Sequence, residues 1–284
     1  MSLARKISRR INDLPPLPGV VTKVMELTSD PNFDMNALVK TVSMDPGITA
    51  RVLKVCNSTY FGLRHKAASL EQALPHLGVN NLLEVVMGTG LSPFFKGSQK
   101  GYRLARGQLW RHSMATALIA KSLARKFCFE EINVLHTSAL LHDVGKLILT
   151  EFVADQFKLI EALVMVEGWP LSQAEKKVLK MDHAELGSLA AKKWKLPGTV
   201  RKAIANHHNP AKSKPPRTLV NLVSLANHLA VMAGAGGGFG DEYVVAPPTV
   251  LFELNVYPQQ LNQLAEEMTA LLERAAPLLA LADG

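Results

Sequence analysis

Apolar residues recur every three or four positions along most of this chain, and runs that alternate at period two are nearly absent. Between Gln108 and Phe127 the positions Leu109, His112, Thr116, Ile119, Leu123 and Phe127 fall on one helical stripe. Local punctuation agrees with that period. Asp45-Pro46 places an N-cap before a first-turn proline, ahead of Val52, Leu53 and Val55. Ser69 precedes a helix that Gly78 stops, and Asn80 is expected to cap the next one, with Leu82, Leu83, Val85 and Val86. Val134 to Thr150 reads as a single helix, Asp182 with Glu185 as a capping box, and Pro197-Gly198 as a break between two further helices. The pattern predicts an all-α protein.

The Lys96–Gly101 stretch is the best linker candidate, which divides the chain into an N-terminal helical lobe over 12–95 and a helical core with closing helices over 102–284. Within 284 residues, 48% hydrophobic and 20% charged composition excludes a disordered chain. Two cysteines, Cys56 and Cys128, cannot make a disulfide framework, so a reduced, cytoplasmic protein is expected. The uncharged run over Thr218–Gly240 holds Asn221, Asn227 and His228 and makes a poor membrane span. Its glycines, Gly234 to Gly240, read as a flexible loop and lack the Lys-Ser/Thr of a phosphate cradle.

The net charge of +8 is uneven. Residues 85–129 and 186–240 each carry basic residues and no acidic one, while Glu253, Glu266, Glu267 and Glu273 follow in the C-terminal segment. The alternatives are solvated helix faces or a positive rim for a phosphorylated small molecule or an acidic protein surface. No aromatic interleaving supports specific nucleic-acid readout.

Histidines are the most informative residues. His142-Asp143 is a polar pair inside the apolar run Leu140-Leu141-His142-Asp143-Val144-Gly145-Lys146, and burying it is costly without a partner. His112 lies on an apolar helix stripe, His183 opens a capped helix, and His207-His208 ends another. Helices that deliver this set to one core suit one or two transition metals. A metal-free imidazole–carboxylate core pair, or a polar helix C-terminus at His207-His208, would explain the same residues more simply.

From Leu14 to Ala230 the chain resembles the HDOD domain, the HD-related output domain of bacterial signalling proteins. Segments carrying the likeness include Leu14-Pro15-Pro16-Leu17-Pro18, Asn57-Ser58-Thr59-Tyr60-Phe61-Gly62, Trp110-Arg111-His112-Ser113, Leu141-His142-Asp143-Val144-Gly145-Lys146 and His207-His208-Asn209-Pro210. The resemblance implies a helical fold related to HD and HD-GYP phosphohydrolases. It implies metal ligands at His112, His142, Asp143, His183, His207 and His208, and a phosphate-facing Lys146. Asn227 stands where those relatives carry a final Asp ligand, Gln108 where some carry a Glu, and the GYP tripeptide is missing. The implied cofactor is one or two divalent ions, Fe or Mn foremost, with Zn or Ni as alternatives. The leading expectation is a regulatory module with a signalling-protein partner. The alternative is a metal-dependent phosphohydrolase acting on a nucleotide or cyclic dinucleotide, with Lys146 neutralising phosphoryl oxygens. Little length remains outside the match, so a stand-alone module is expected.

Overall fold

A computed structural model describes residues 3–28, 30, 33–241 and 245–282. Its helices are α1 (Leu3–Asp13), α2 (Gly19–Leu27), α3 (Met35–Ser43), α4 (Pro46–Cys56), α5 (Leu70–Leu77) and α6 (Val79–Leu91). There follow α7 (Gln108–Lys126), α8 (Ile132–Leu141), α9 (Gly145–Asp155), α10 (Phe157–Met165), α11 (Leu171–Leu179) and α12 (His183–Lys193). The last are α13 (Gly198–Asn206), α14 (Thr218–Met232), α15 (Pro248–Glu253), α16 (Pro258–Arg274) and α17 (Ala276–Leu279). The fold is all-α, with no strand among the described residues.

The predicted caps form. Asp45 accepts from the Ile48 N–H at 2.9 Å, Ser69 from Gln72 at 3.3 Å, and Asp182 and Glu185 make a reciprocal capping box. Two local expectations are corrected. Gly78 occupies the N-cap of α6 and Asn80 lies inside its first turn, because Gly78 at φ 70° already turns the chain between α5 and α6. The helix expected over 134–150 is two: α8 stops at Leu141 and α9 starts at Gly145, with i→i−3 bonds such as Val144 N–H to Leu141 O (3.1 Å) and Lys146 N–H to Asp143 O (2.9 Å) tightening the junction.

The chain divides into two units, residues 1–15 with 97–272 and residues 16–96 with 273–284. This differs from the linear boundaries of 12–95 and 102–284 at both termini, because chain ends pack by shape rather than by order. In the first unit α7 is buried around most of its circumference, Ala115, Ala117, Ala120 and Ala124 included, and α8 and α14 pack against it. There α1 packs on α9 and α12. Ile7 is buried, the Lys193 ammonium donates to the carbonyls of Ile11 (3.0 Å) and Leu14 (2.8 Å), and Trp194 Nε1 donates to Pro15 O at 2.9 Å. In the second unit α6 is the central helix, buried from Leu82 to Leu91 and contacted by α2, α4 and α5. Gly90 admits Val21, whose Cγ2 would lie 2.2 Å from any Cβ there. Among the described residues no helix is long and apolar enough to cross a membrane.

Candidate metal centre

Four elements of the first unit converge. His112 comes from α7, His142 and Asp143 from the α8–α9 junction, His183 from the first position of α12, and His207 and His208 from the end of α13. The junction fits only because position 145 lacks a side chain: a Cβ at Gly145 would lie 1.9 Å from the His183 carbonyl oxygen and 2.7 Å from the Gly187 nitrogen. Sequence therefore brings the His-Asp pair against the start of α12 by leaving a gap where two backbones cross.

Four of the five rings are fixed from behind. Nδ1 of His112, His142 and His207 donates to the carbonyls of Ala235 (2.7 Å), Ala139 (2.7 Å) and Ile204 (2.8 Å). A carbonyl can only accept, so Nδ1 carries a proton in all three, and burial keeps His142 and His207 neutral with the Nε2 lone pair turned to the centre. His183 Nδ1 is 2.7 Å from a carboxylate oxygen of Glu175, which also accepts the His183 N–H at 2.9 Å. The other Glu175 oxygen accepts the Tyr102 hydroxyl at 2.7 Å.

The free faces meet at Asp143. Its Oδ2 lies 3.5 Å from Nε2 of both His112 and His142, and its Oδ1 lies 3.3 Å and 3.7 Å from Nε2 of His183 and His207. One buried carboxylate thus faces two histidine groups, His112 with His142 and His183 with His207 and His208; in each group the donor atoms lie within 4.8 Å of one another. The buried Asp143 Oδ1 and His207 Nε2 have no hydrogen-bond partner. The Nε2 atoms of His112 and His142 stand 3.2 Å apart, with the Nδ1 atom of each ring engaged by a carbonyl behind it. Orphaned acceptors in a dry core are unfavourable unless a cation lies among them. The donor set therefore fits a divalent metal: imidazoles suit Fe, Zn and Ni, and the carboxylate extends the range to Mn.

Electrostatics without a cation point the same way. Burial pushes His142 down to about 4 and holds His207 and His208 well below the usual imidazole range. Burial also opposes charge on His183, but Glu175 and Asp143 outweigh it and raise that ring to about 10. Burial would raise Asp143, yet the Lys146 charge and the surrounding imidazoles keep it well below the usual carboxylate range. A proton on His183 joins the Lys146 ammonium as positive charge beside Asp143.

A cavity of about 330 Å³ opens beside this cluster and is lined by His183, His207, His208, Asn227 and Asp241 among others. Asn227 is buried on α14 and borders the cavity beside His207 and His208. Lys146 is committed elsewhere, with its ammonium 2.8 Å from Asp143 Oδ2, 3.5 Å from Asp241 Oδ1 and 3.4 Å from the Gly237 carbonyl. The glycine loop read as merely flexible is the wall behind His112: Ala235 accepts its Nδ1–H, and a Cβ at Gly237 would come within 2.7 Å of the His112 ring. Gln108 turns to accept the Ala105 N–H at 3.1 Å. Of the basic residues in the two acid-free stretches, only Lys212 lines this cavity. Others are tied down: Arg217 pairs with Glu253 at 3.1 Å, Lys126 with Glu267 at 3.1 Å and Arg103 with Glu161 at 2.8 Å.

The pattern of a His-Asp pair at a helix junction, answered by histidines from three more helices, has counterparts. The chain matches the HDOD domain over residues 14–210. It belongs to the HDOD family. An HDOD domain protein of unknown function from Geobacter sulfurreducens is 25% identical, with 98% of this chain and 96% of that one superposed at a TM-score of 0.76. A candidate phosphohydrolase from Shewanella amazonensis SB2B shares the fold at 20% identity, with coverage of 97% of each chain and a TM-score of 0.73. An uncharacterized protein of Treponema pallidum (strain Nichols) is 24% identical over 79% of this HDOD chain, which spans only 44% of that relative's length.

Proposed function

We propose that this HDOD protein is a signalling module, in the cytoplasm, whose HD-type core holds one or two divalent transition metal ions, Fe or Mn foremost and Zn or Ni as alternatives. His112, His142 and Asp143 would hold one ion and Asp143, His183, His207 and His208 the other, with Asn227 beside them as a neutral oxygen. The single observation that carries the reading is the Asp143 carboxylate, buried and turned with one oxygen toward each histidine group. Bound metal supplies positive charge and Lewis acidity at that carboxylate. The protein's own residues then tie α7, the α8–α9 junction, α12 and α13 into one rigid block, a suitable platform for a signalling-protein partner. Membership of the HDOD family supports the regulatory role and the partner.

Regulation is favoured over hydrolysis by Lys146. Its ammonium is buried between Asp143 and Asp241 and so neutralises protein carboxylates. A second reading, a phosphohydrolase acting on a nucleotide or other phosphorylated small molecule, draws on the cavity beside His207 and His208, which Lys146 and Lys212 also line, and on solved relatives named as candidate phosphohydrolases. The test is elemental analysis of purified protein together with bis-p-nitrophenyl phosphate turnover after Mn or Fe loading. The expected result is bound metal that His142→Ala loses, with turnover no faster than free metal. Turnover that His142→Ala abolishes would overturn the regulatory reading in favour of the second.

A further inference from the structure

Asp143 Oδ2 is contested. It lies 3.5 Å from Nε2 of both His112 and His142, where a metal shared by those rings would bond it, and 2.8 Å from the Lys146 ammonium. A divalent ion on that oxygen would stand beside a buried ammonium, and like charges at such range in a dry site repel strongly. Lys146 has no path to water as it stands, since its side chain is only 3% exposed. Another seat lies close by. Asp241 Oδ1 is 3.5 Å from the same ammonium, and the Gly237 carbonyl is 3.4 Å from it. Asp241 is itself buried and held by the loop that carries it: Oδ2 accepts the Gly237 N–H, and its own N–H donates to Gly238 O at 3.1 Å. That loop runs close to the centre because Gly238 takes φ 111°, and a Cβ there would lie 2.6 Å from the Tyr102 carbonyl oxygen. A short shift of the ammonium from Asp143 Oδ2 to Asp241 Oδ1 keeps it paired and frees the oxygen that a metal needs.

We propose that Asp241 is a positioning residue for the metal centre: it takes over Lys146 when a divalent ion binds Asp143, and so sets how tightly that ion is retained. This role rests on the metal-binding reading above, and one set of titrations tells the failure of each apart. The full chain and its variants are titrated with Mn²⁺ by equilibrium dialysis against a chelator of known affinity. Asp241→Asn keeps an oxygen for the Gly237 N–H but offers Lys146 no charge, and should weaken Mn²⁺ binding about tenfold, the lower end of the range for groups that support metal ligands. Lys146→Gln should bind more tightly than the parent, and adding Asp241→Asn to it should change affinity by less than about twofold. A merely structural role for Asp241, or a direct pull of its charge on the ion, would instead weaken binding equally in both backgrounds. Diffraction from Mn²⁺-loaded crystals of the parent gives a second measurement should Lys146→Gln fail to fold. There Nζ is expected within about 3 Å of Asp241 and beyond about 3.5 Å from Asp143 Oδ2. The role of Asp241 is overturned by an ammonium still 2.8 Å from Asp143 Oδ2 beside bound metal, by unchanged affinity in Asp241→Asn, by equal losses in both backgrounds, or by weaker binding in Lys146→Gln. A parent protein that binds no Mn²⁺ overturns the metal reading, and this role with it.

Discussion

Glu175 gives the sharpest handle on the centre because it acts entirely from behind. It is fully buried on α11 and accepts three hydrogen bonds, from the Tyr102 hydroxyl (2.7 Å), the His183 N–H (2.9 Å) and His183 Nδ1 (2.7 Å). Glutamine at this position keeps the shape. Its carbonyl oxygen can take both His183 donors, and its amide can face the Tyr102 hydroxyl, which rotates to accept. Only the charge is lost. Carboxylates that orient and polarise a ligating imidazole are worth about 10–100-fold in metal affinity, or about 1.4–2.7 kcal/mol. Glu175→Gln is therefore expected to weaken metal retention by that factor while the protein still unfolds cooperatively. Glu175→Leu instead strands three buried donors at roughly 1–3 kcal/mol each, roughly 3–9 kcal/mol together, against a typical total stability of about 5–15 kcal/mol. It should fail to fold or melt far lower. Equilibrium dialysis of Mn²⁺ against a chelator of known affinity, run beside thermal melting, separates the two effects. A Glu175→Gln protein with wild-type affinity would refute the assignment of Glu175 as the group that tunes His183.

Three other outcomes follow from named contacts. His136 is buried on α8, and burial pushes it down to about 3 from the 6.5 of an exposed ring, so the unfolded chain takes up a proton first as pH falls. Its contribution is intact above about pH 7 and is lost on acidification from 6.5 toward 3, costing about 2 kcal/mol by pH 5; urea unfolding at pH 8 and pH 5 should show a smaller pH dependence in His136→Leu, and parallel curves would contradict this. Gly145→Ala sets a Cβ against the His183 carbonyl at 1.9 Å, backbone against backbone. Its cost should exceed the roughly 1–3 kcal/mol of ordinary overpacking, with metal retention lost as well, and a wild-type melting curve would count against the packing described. Asn227→Asp adds a carboxylate to the cavity wall; metal retention against a chelator should rise, about tenfold for each 1.4 kcal/mol gained. Phosphodiester turnover should stay at background because Lys146 remains paired, so a gain in turnover would show that the missing carboxylate alone limits the site.

Helix content was legible because caps are local: Asp45 and Asp182 satisfy the N–H groups of the turn directly after them. The histidine cluster around Asp143 was legible for a related reason, since a histidine or His-Asp pair stands out on an apolar stripe wherever its partners lie. What could not be read was whatever depends on two segments meeting. Glu175 sits in Gln173-Ala174-Glu175-Lys176-Lys177, which reads as a solvated face; only the left-handed turn at Lys180 (φ 68°) folds α11 back so that it reaches His183. Asp241 follows a glycine run that carries no periodicity, yet it accepts from the Gly237 N–H and helps to hold Lys146. The break at His142–Val144 lies within an unbroken helical period and is dictated by the close crossing of α9 and α12 at Gly145. Charge behaved likewise. The basic stretches and the acidic C-terminal segment looked like separate surfaces, but Arg217–Glu253 and Lys126–Glu267 join them within the molecule.

The central claim is that Asp143 and five histidines exist to hold metal. X-ray diffraction from crystals of the purified protein, with data collected on both sides of the Fe and Mn absorption edges, tests it most directly. The account predicts one or two anomalous peaks beside Asp143, within bonding distance of the histidine Nε2 atoms, and a matching stoichiometry by elemental analysis. It is contradicted by less than about a tenth of an equivalent of metal per chain, together with a peak-free centre in which Lys146 and the His183 proton balance the charge of Asp143.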